Sequence, residues 1–144
     1  MRPESVLITS DGHVKVTDFG IYPGKLENNP AEFLYASPEL LNPSNDMKDD
    51  LKEKVDIWAF GLLMHYILLP RTDRFQYAHF RLNMPKQDFL KEITLWKRRP
   101  LIPADFEQRN PGLVHLMRSC LYPQPKHRPS IKRALEVLAK LQAA

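Results

Sequence analysis

Cysteine is nearly absent from this 144-residue chain: Cys120 stands alone, which excludes an intrachain disulfide and a zinc site built from several cysteines. A reducing, cytoplasmic setting agrees with that. Long apolar runs are also missing. The N-terminus Met1-Arg2-Pro3-Glu4-Ser5 leads into only three strongly apolar residues, Val6, Leu7 and Ile8, so no signal-peptide core is present. The longest apolar stretch, Ile57 to Leu69, is shorter than the roughly 20 residues a bilayer requires and contains His65. A membrane protein is therefore not expected. Glycine is scarce at 5, whereas the 13 prolines exceed the about 7 that average usage would give. Interrupted, short segments are expected from that excess.

What is present is ordinary globular material: 43% apolar and 26% charged residues, enough to fold around a core. The length fits one domain, with no room for two complete catalytic units. The net charge of +4 lies in short clusters, Lys97-Arg98-Arg99 and Lys126-His127-Arg128, which read as a solvated face or structural ion pairs rather than a nucleic-acid surface. No nucleic-acid partner is expected.

The strand-prone runs Val6–Ile8 and Val14–Thr17 flank Ser10-Asp11-Gly12, a hairpin signal. After Gly20 the residues Pro23-Gly24 and Asn28-Asn29-Pro30 indicate a long loop. Ser37-Pro38-Glu39 reads as a helix start, with Ser37 as N-cap and Pro38 where a missing N–H costs nothing, and Asn42-Pro43 ends it. Lys52 to Leu69 predicts a helix apolar on every side, which must be buried all round. The residues after it and two small strands are too little to cover it fully, so exposed apolar surface or a covering partner is expected. Further helices are predicted over Lys86–Lys97, with Phe89, Ile93 and Trp96 in register, and over Leu113–Leu121. Pro100 and Pro103 mark a loop between them. Ser130 caps a last helix whose Ile131, Ala134, Leu135, Leu138 and Leu141 form one apolar stripe.

Several short motifs succeed one another in a fixed order. Pro3-Glu4 precedes the first strand; then come the hairpin, Asp18-Phe19-Gly20, Ser37-Pro38-Glu39, Val55-Asp56-Ile57-Trp58-Ala59-Phe60-Gly61 and His127-Arg128-Pro129-Ser130. That series resembles the C-terminal lobe of a eukaryotic-type protein kinase domain, over essentially the whole chain. The implied fold is α+β, mostly α, with a short N-terminal β-hairpin, and residues 1–144 are a partial kinase domain without the N-terminal lobe.

The resemblance implies phosphoryl transfer, in which the protein positions substrates and neutralises phosphate charge. Asp18 matches the aspartate that holds Mg²⁺ against the phosphates of ATP, and Phe19 the plug beneath it. The loop Ile21–Ala36 matches the activation segment. Glu39 matches a glutamate that pairs with an arginine near the last helix, here Arg128, and Asp56 an aspartate that accepts backbone N–H bonds from the catalytic loop.

The departures are specific. Met1-Arg2-Pro3-Glu4-Ser5 aligns with Leu-Lys-Pro-Glu-Asn, so the catalytic aspartate of His-Arg-Asp falls before Met1. Arg2 replaces a lysine. Ser5 replaces the asparagine that binds a second Mg²⁺, leaving Asp18 and Ser5 as the nucleotide and metal residues. Glu32 occupies the place of a substrate-pocket threonine. The Gly-rich loop and ATP-anchoring lysine have no match. A truncated gene model, a degenerate pseudokinase remnant and one half of a split domain all fit.

Two functions are compatible with these residues. One is ATP- and Mg²⁺-dependent phosphoryl transfer to protein Ser/Thr or Tyr, once upstream sequence or a missing lobe completes the domain, with no catalysis by these residues alone. The alternative is a non-catalytic, pseudokinase-like module that binds a protein through the Lys86–Trp96 helix or the central helix. His65 and Cys120 read as core residues. Tyr22 and Tyr35 are the hydroxyls left for regulation in a loop poor in serine and threonine.

Overall fold

The computed structural model describes residues 1–17, 33–42, 49–69, 84–95 and 97–143. Asp18, Phe19, Gly20, Tyr22, Glu32 and Trp96 lie outside these.

The chain opens with a single 3-10 turn, Pro3–Ser5, and then the predicted hairpin of β1 (Val6–Ile8) and β2 (Val14–Val16), with Val6 opposite Val16 and Ile8 opposite Val14. The connection closes on itself. Thr9 N–H donates to the His13 carbonyl at 2.9 Å, and Gly12 turns the chain at φ +84°, where a Cβ would be strained. The Thr9 hydroxyl bonds the Asp11 carboxylate and holds its pKa below the ordinary value. Both faces of the hairpin meet solvent: Leu7, Ile8, Val14 and Val16 are all exposed.

The remaining described elements are helical: α1 (Pro38–Leu41), α2 (Asp49–Leu68), α3 (Lys86–Thr94), α4 (Ala104–Arg109), α5 (Pro111–Cys120) and α6 (Ile131–Ala143), with a 3-10 turn at Pro125–His127. The fold is α+β and mostly α, as the sequence implies.

Ser37 occupies the N-cap of α1 with extended backbone, but its hydroxyl makes no cap bond and is buried without a partner among the described residues. Its carbonyl takes the cap role instead, accepting from Leu40 and Leu41 N–H at 3.0 and 3.1 Å.

Helix α2 is the axis of the molecule. On one side Trp58 and Leu62 join a cluster with Phe33, Ala36, Leu41, Phe89 and Ile93; on the other, Ile57 and Met64 meet Val114, Met117, Cys120 and Ala134. The expectation that α2 would present uncovered apolar surface is corrected. Of its large apolar residues in the described part only Ile67 is exposed, at 60%. Part of the cover comes from residues 33–41, which precede α2 in the chain and pack Phe33, Ala36 and Leu41 against it. The C-terminal helices are therefore not its only neighbours. Contact with α5 is close because Gly61 carries no side chain: a Cβ there would lie 2.7 Å from Cys120 Cβ.

Three further predictions are revised. Between Pro103 and Asn110 the chain forms α4 rather than loop, with Pro103 as its N-cap and Arg109 Nη2 reaching Asp105 at 2.7 Å. Helix α3 ends at Thr94, short of the predicted Lys97. In α6, Ser130 Oγ does cap the helix, accepting from Arg133 N–H at 3.2 Å. Its apolar stripe divides, however: Ala134 is buried and Val137 and Leu138 pack beside it, whereas Ile131 and Leu135 face outward. The small Ala134 side chain sets the contact line with the second cluster, and residues 131 and 135 fall outside it.

Candidate functional site

The best-formed polar arrangement joins the start of α1, the start of α2 and the segment before α6. A buried cation survives only when every donor is satisfied. Arg128 meets that condition. Its side chain is fully buried, and Glu39 is nearly so. Nη1 donates to Glu39 Oε1 at 2.6 Å and to the Lys54 carbonyl at 2.7 Å; Nη2 donates to Glu39 Oε2 at 2.8 Å and to the Pro123 carbonyl at 3.1 Å. Nε donates to the Tyr122 carbonyl at 2.8 Å, so all N–H donors of the guanidinium are used. Lys54 Nζ returns the connection, donating to the Arg128 and Pro129 carbonyls at 3.2 and 3.1 Å. The pairing of Glu39 with Arg128 implied by the resemblance is therefore present.

Trp58 lies against this pair. The Arg128 guanidinium sits 5.0 Å from its ring centroid, and the Arg99 guanidinium also lies at 5.0 Å. Arg99 is fixed by bonds from Nε to the Leu121 carbonyl at 2.7 Å and from Nη1 to the Ile93 carbonyl at 2.8 Å. Sequence reasoning missed this arrangement. Each basic cluster contributes one arginine to the interior, and charge counting along the chain does not distinguish that residue from its solvated neighbours.

At the hairpin, Ser5 is buried, at 2% exposure, and its carbonyl accepts Thr17 N–H at 2.7 Å. This bond extends the strand register by one pair and brings Ser5 beside the residue that precedes Asp18. Asp18 itself lies outside the described residues. Ser5 offers a metal one neutral oxygen, and among the described residues no group of three or more His, Cys, Asp or Glu side chains can hold a metal ion. The described residues alone do not make a magnesium site.

Asp56 is exposed and forms no hydrogen bond among the described residues. Its charge acts on the Met1 amino group, whose pKa is lowered by burial and partly restored by this carboxylate. The backbone N–H contacts implied for Asp56 are thus not seen there. Tyr35 is packed in the first cluster at 9% exposure, which leaves its ring little access to a modifying enzyme. The apolar residues of α3, offered by the sequence as a docking face, are turned inward, with Phe89 and Ile93 at 1% and 0% exposure.

His65 and Cys120 are core residues, as read. His65 Nε2 lies 2.8 Å from the Leu101 carbonyl. Burial pushes the Cys120 thiol from 9.0 up to about 12, with the Arg128 charge opposing. The folded state thus holds this proton more tightly, and the stability associated with it is lost as pH rises from 9.0 towards 12. At pH 8 a thiol of that pKa is thiolate to about one part in ten thousand. Cys120 is expected to react with a disulfide reagent only as the chain unfolds, which time courses with and without urea will check.

Comparison with known proteins adds ancestry to this geometry. Residues 1–138 match the family model described as protein kinase domain. Curated relatives include a probable serine/threonine-protein kinase, MARK-C, of Dictyostelium discoideum, 30% identical over 92% of this chain and 16% of its own length. The dual specificity protein kinase shkD of the same organism is 31% identical over 94% of this chain and 17% of its own. The receptor-type guanylate cyclase gcy-6 of Caenorhabditis elegans is 30% identical over 98% and 13%. The chain thus spans less than a fifth of the length of these relatives. Among the described residues no helix is long and apolar enough to cross a membrane.

Proposed function

This chain belongs to the protein kinase domain family, and we propose on that premise that residues 1–144 are the C-terminal part of a kinase domain that transfers a phosphoryl group from ATP to protein Ser/Thr or Tyr. The part is inactive without residues that complete the site. The observation that carries this reading is the Glu39–Arg128 pair, built with every guanidinium donor satisfied and set against the central helix. Such a pair fixes the end of the activation segment relative to the helical core, which a phosphoryl-transfer site needs because its work is positioning.

ATP and Mg²⁺ are the cofactors of that reaction, with Asp18 as the metal ligand and Asp18 and Ser5 as the nucleotide-binding residues. A seryl hydroxyl is neutral and shorter than an asparagine amide, so weak binding of a second metal ion is part of the proposal. Exposed Leu7, Ile8, Val14 and Val16 support a covering element over the hairpin, since two short strands with solvent on both faces are marginal by themselves. The missing lobe, or a protein partner in its place, would provide that cover. The cytoplasm is the compartment proposed, in keeping with the free thiol of Cys120.

Reading the coding sequence upstream of Met1 tests the proposal. An in-frame His-Arg-Asp just ahead of Met1, preceded by an ATP-anchoring lysine, is the expected result. Upstream sequence without either would favour the second reading, a non-catalytic interaction module, to which the Ser5 substitution also points.

A further inference from the structure

A cleft of about 300 Å³ opens between α2, α5 and the segment that joins α3 to α4. We propose that it binds a small amphiphilic anion, an aryl or short acyl body carrying one carboxylate.

The floor is apolar. Pro100, Ile102, Met117 and Leu121 line it, with Met117 1% and Leu121 5% exposed, so an apolar body entering here leaves water for a packed surface. The rim is cationic. Lys97, Arg99 and Arg118 lie along it, and no acidic residue is among the lining side chains. Arg118 is held by Glu107, with Nη2 2.9 Å from Oε2. Arg99 is engaged with backbone carbonyls and Trp58. Lys97 differs from both: it forms no ion pair among the described residues, so its ammonium is the charge available to a ligand.

The backbone supports the same residue. Lys97 has φ +50°, the only non-glycine positive φ among the described residues. A lysine gains nothing by itself from the left-handed region, and such conformations persist where the surroundings impose them and cluster at functional positions. Here the next residue, Arg98, donates its N–H to the Glu92 carbonyl at 2.9 Å, and Arg99 is locked beyond it. Those bonds hold the turn that brings Lys97 to the rim. The cleft shares no lining residue with the hairpin, and it takes up a basic cluster for which phosphoryl transfer gives no use.

The test uses the full chain with methyl-labelled methionine, observed by NMR during titration with phenylbutanoate and, separately, with phenylbutanol, its neutral counterpart. The Met117 methyl resonance is expected to shift saturably with the carboxylate, and the alcohol to bind about five-fold more weakly. Lys97→Gly removes the ammonium while keeping a residue at ease with positive φ, so the fold is retained. In that variant the preference for the carboxylate is expected to vanish. An unmoved Met117 resonance, equal affinity for the two probes, or a preference that survives in Lys97→Gly would each overturn the proposal.

Discussion

Arg128→Ala is expected to destabilise the protein by about 3–5 kcal/mol, because it leaves a buried carboxylate without its counter-charge. Glu39 is 7% exposed and its two oxygens are both bonded to the guanidinium, so water cannot easily replace what is lost. The carbonyls of Lys54, Tyr122 and Pro123 lose their donor in the same step. Arg128→Lys is expected to recover little, since an ammonium cannot form the bidentate pair and reach three carbonyls together. Glu39→Gln in combination with Arg128→Met is expected to be less harmful than Arg128→Ala alone, because no charge then remains buried. Urea midpoints of the unaltered chain and these three variants check this order. A loss below about 1 kcal/mol for Arg128→Ala, the range of exposed pairs, would remove the pair from its central place.

Trp58→Ala is expected to cost a similar amount, about 3–5 kcal/mol, the range for deleting a large buried aromatic side chain. Trp58 is fully buried with two guanidinium groups each 5.0 Å from its ring centroid, so the deletion opens a cavity and also removes the ring that both cations contact. Trp58→Phe separates these effects. The indole N–H has no acceptor among the described residues, so its removal costs no hydrogen bond. The expected loss for Trp58→Phe is therefore smaller, about 1–2 kcal/mol from reduced volume and a weaker cation–π face. Equal losses for Phe and Ala would mean that the indole itself is required. Thermal or urea unfolding of the two variants distinguishes these results.

Several features were legible in the sequence because each has a local cause. Asp11-Gly12 between strand-prone runs is a turn signal carried by adjacent residues, and the strands pair across it. The apolar run that begins at Ile57 makes α2 the interior helix, and the resemblance paired Glu39 with Arg128 across the chain. Other features depend on tertiary packing that no short window contains. Helix α4 is six residues between Pro103 and Asn110, too short for a periodic pattern to stand out. Ile131 and Leu135 match the helical period as well as Leu138 does, but only contact with the second cluster decides which of them is covered. Ser37 has the composition of a cap, yet its hydroxyl is buried and makes no cap bond. At the candidate site the same division holds: Ser5 and Arg128 were recognisable by motif, whereas Arg99 over Trp58 is a three-dimensional coincidence of a basic cluster with an aromatic ring.

The central claim is that this part of a kinase domain does not transfer phosphate by itself. Transfer of radiolabelled phosphate from ATP to dephosphorylated casein, by the purified 144-residue chain in the presence of Mg²⁺, tests it most directly beside an Asp18→Ala control. The two proteins are expected to give the same background. Transfer by the unaltered chain that Asp18→Ala abolishes would contradict the claim.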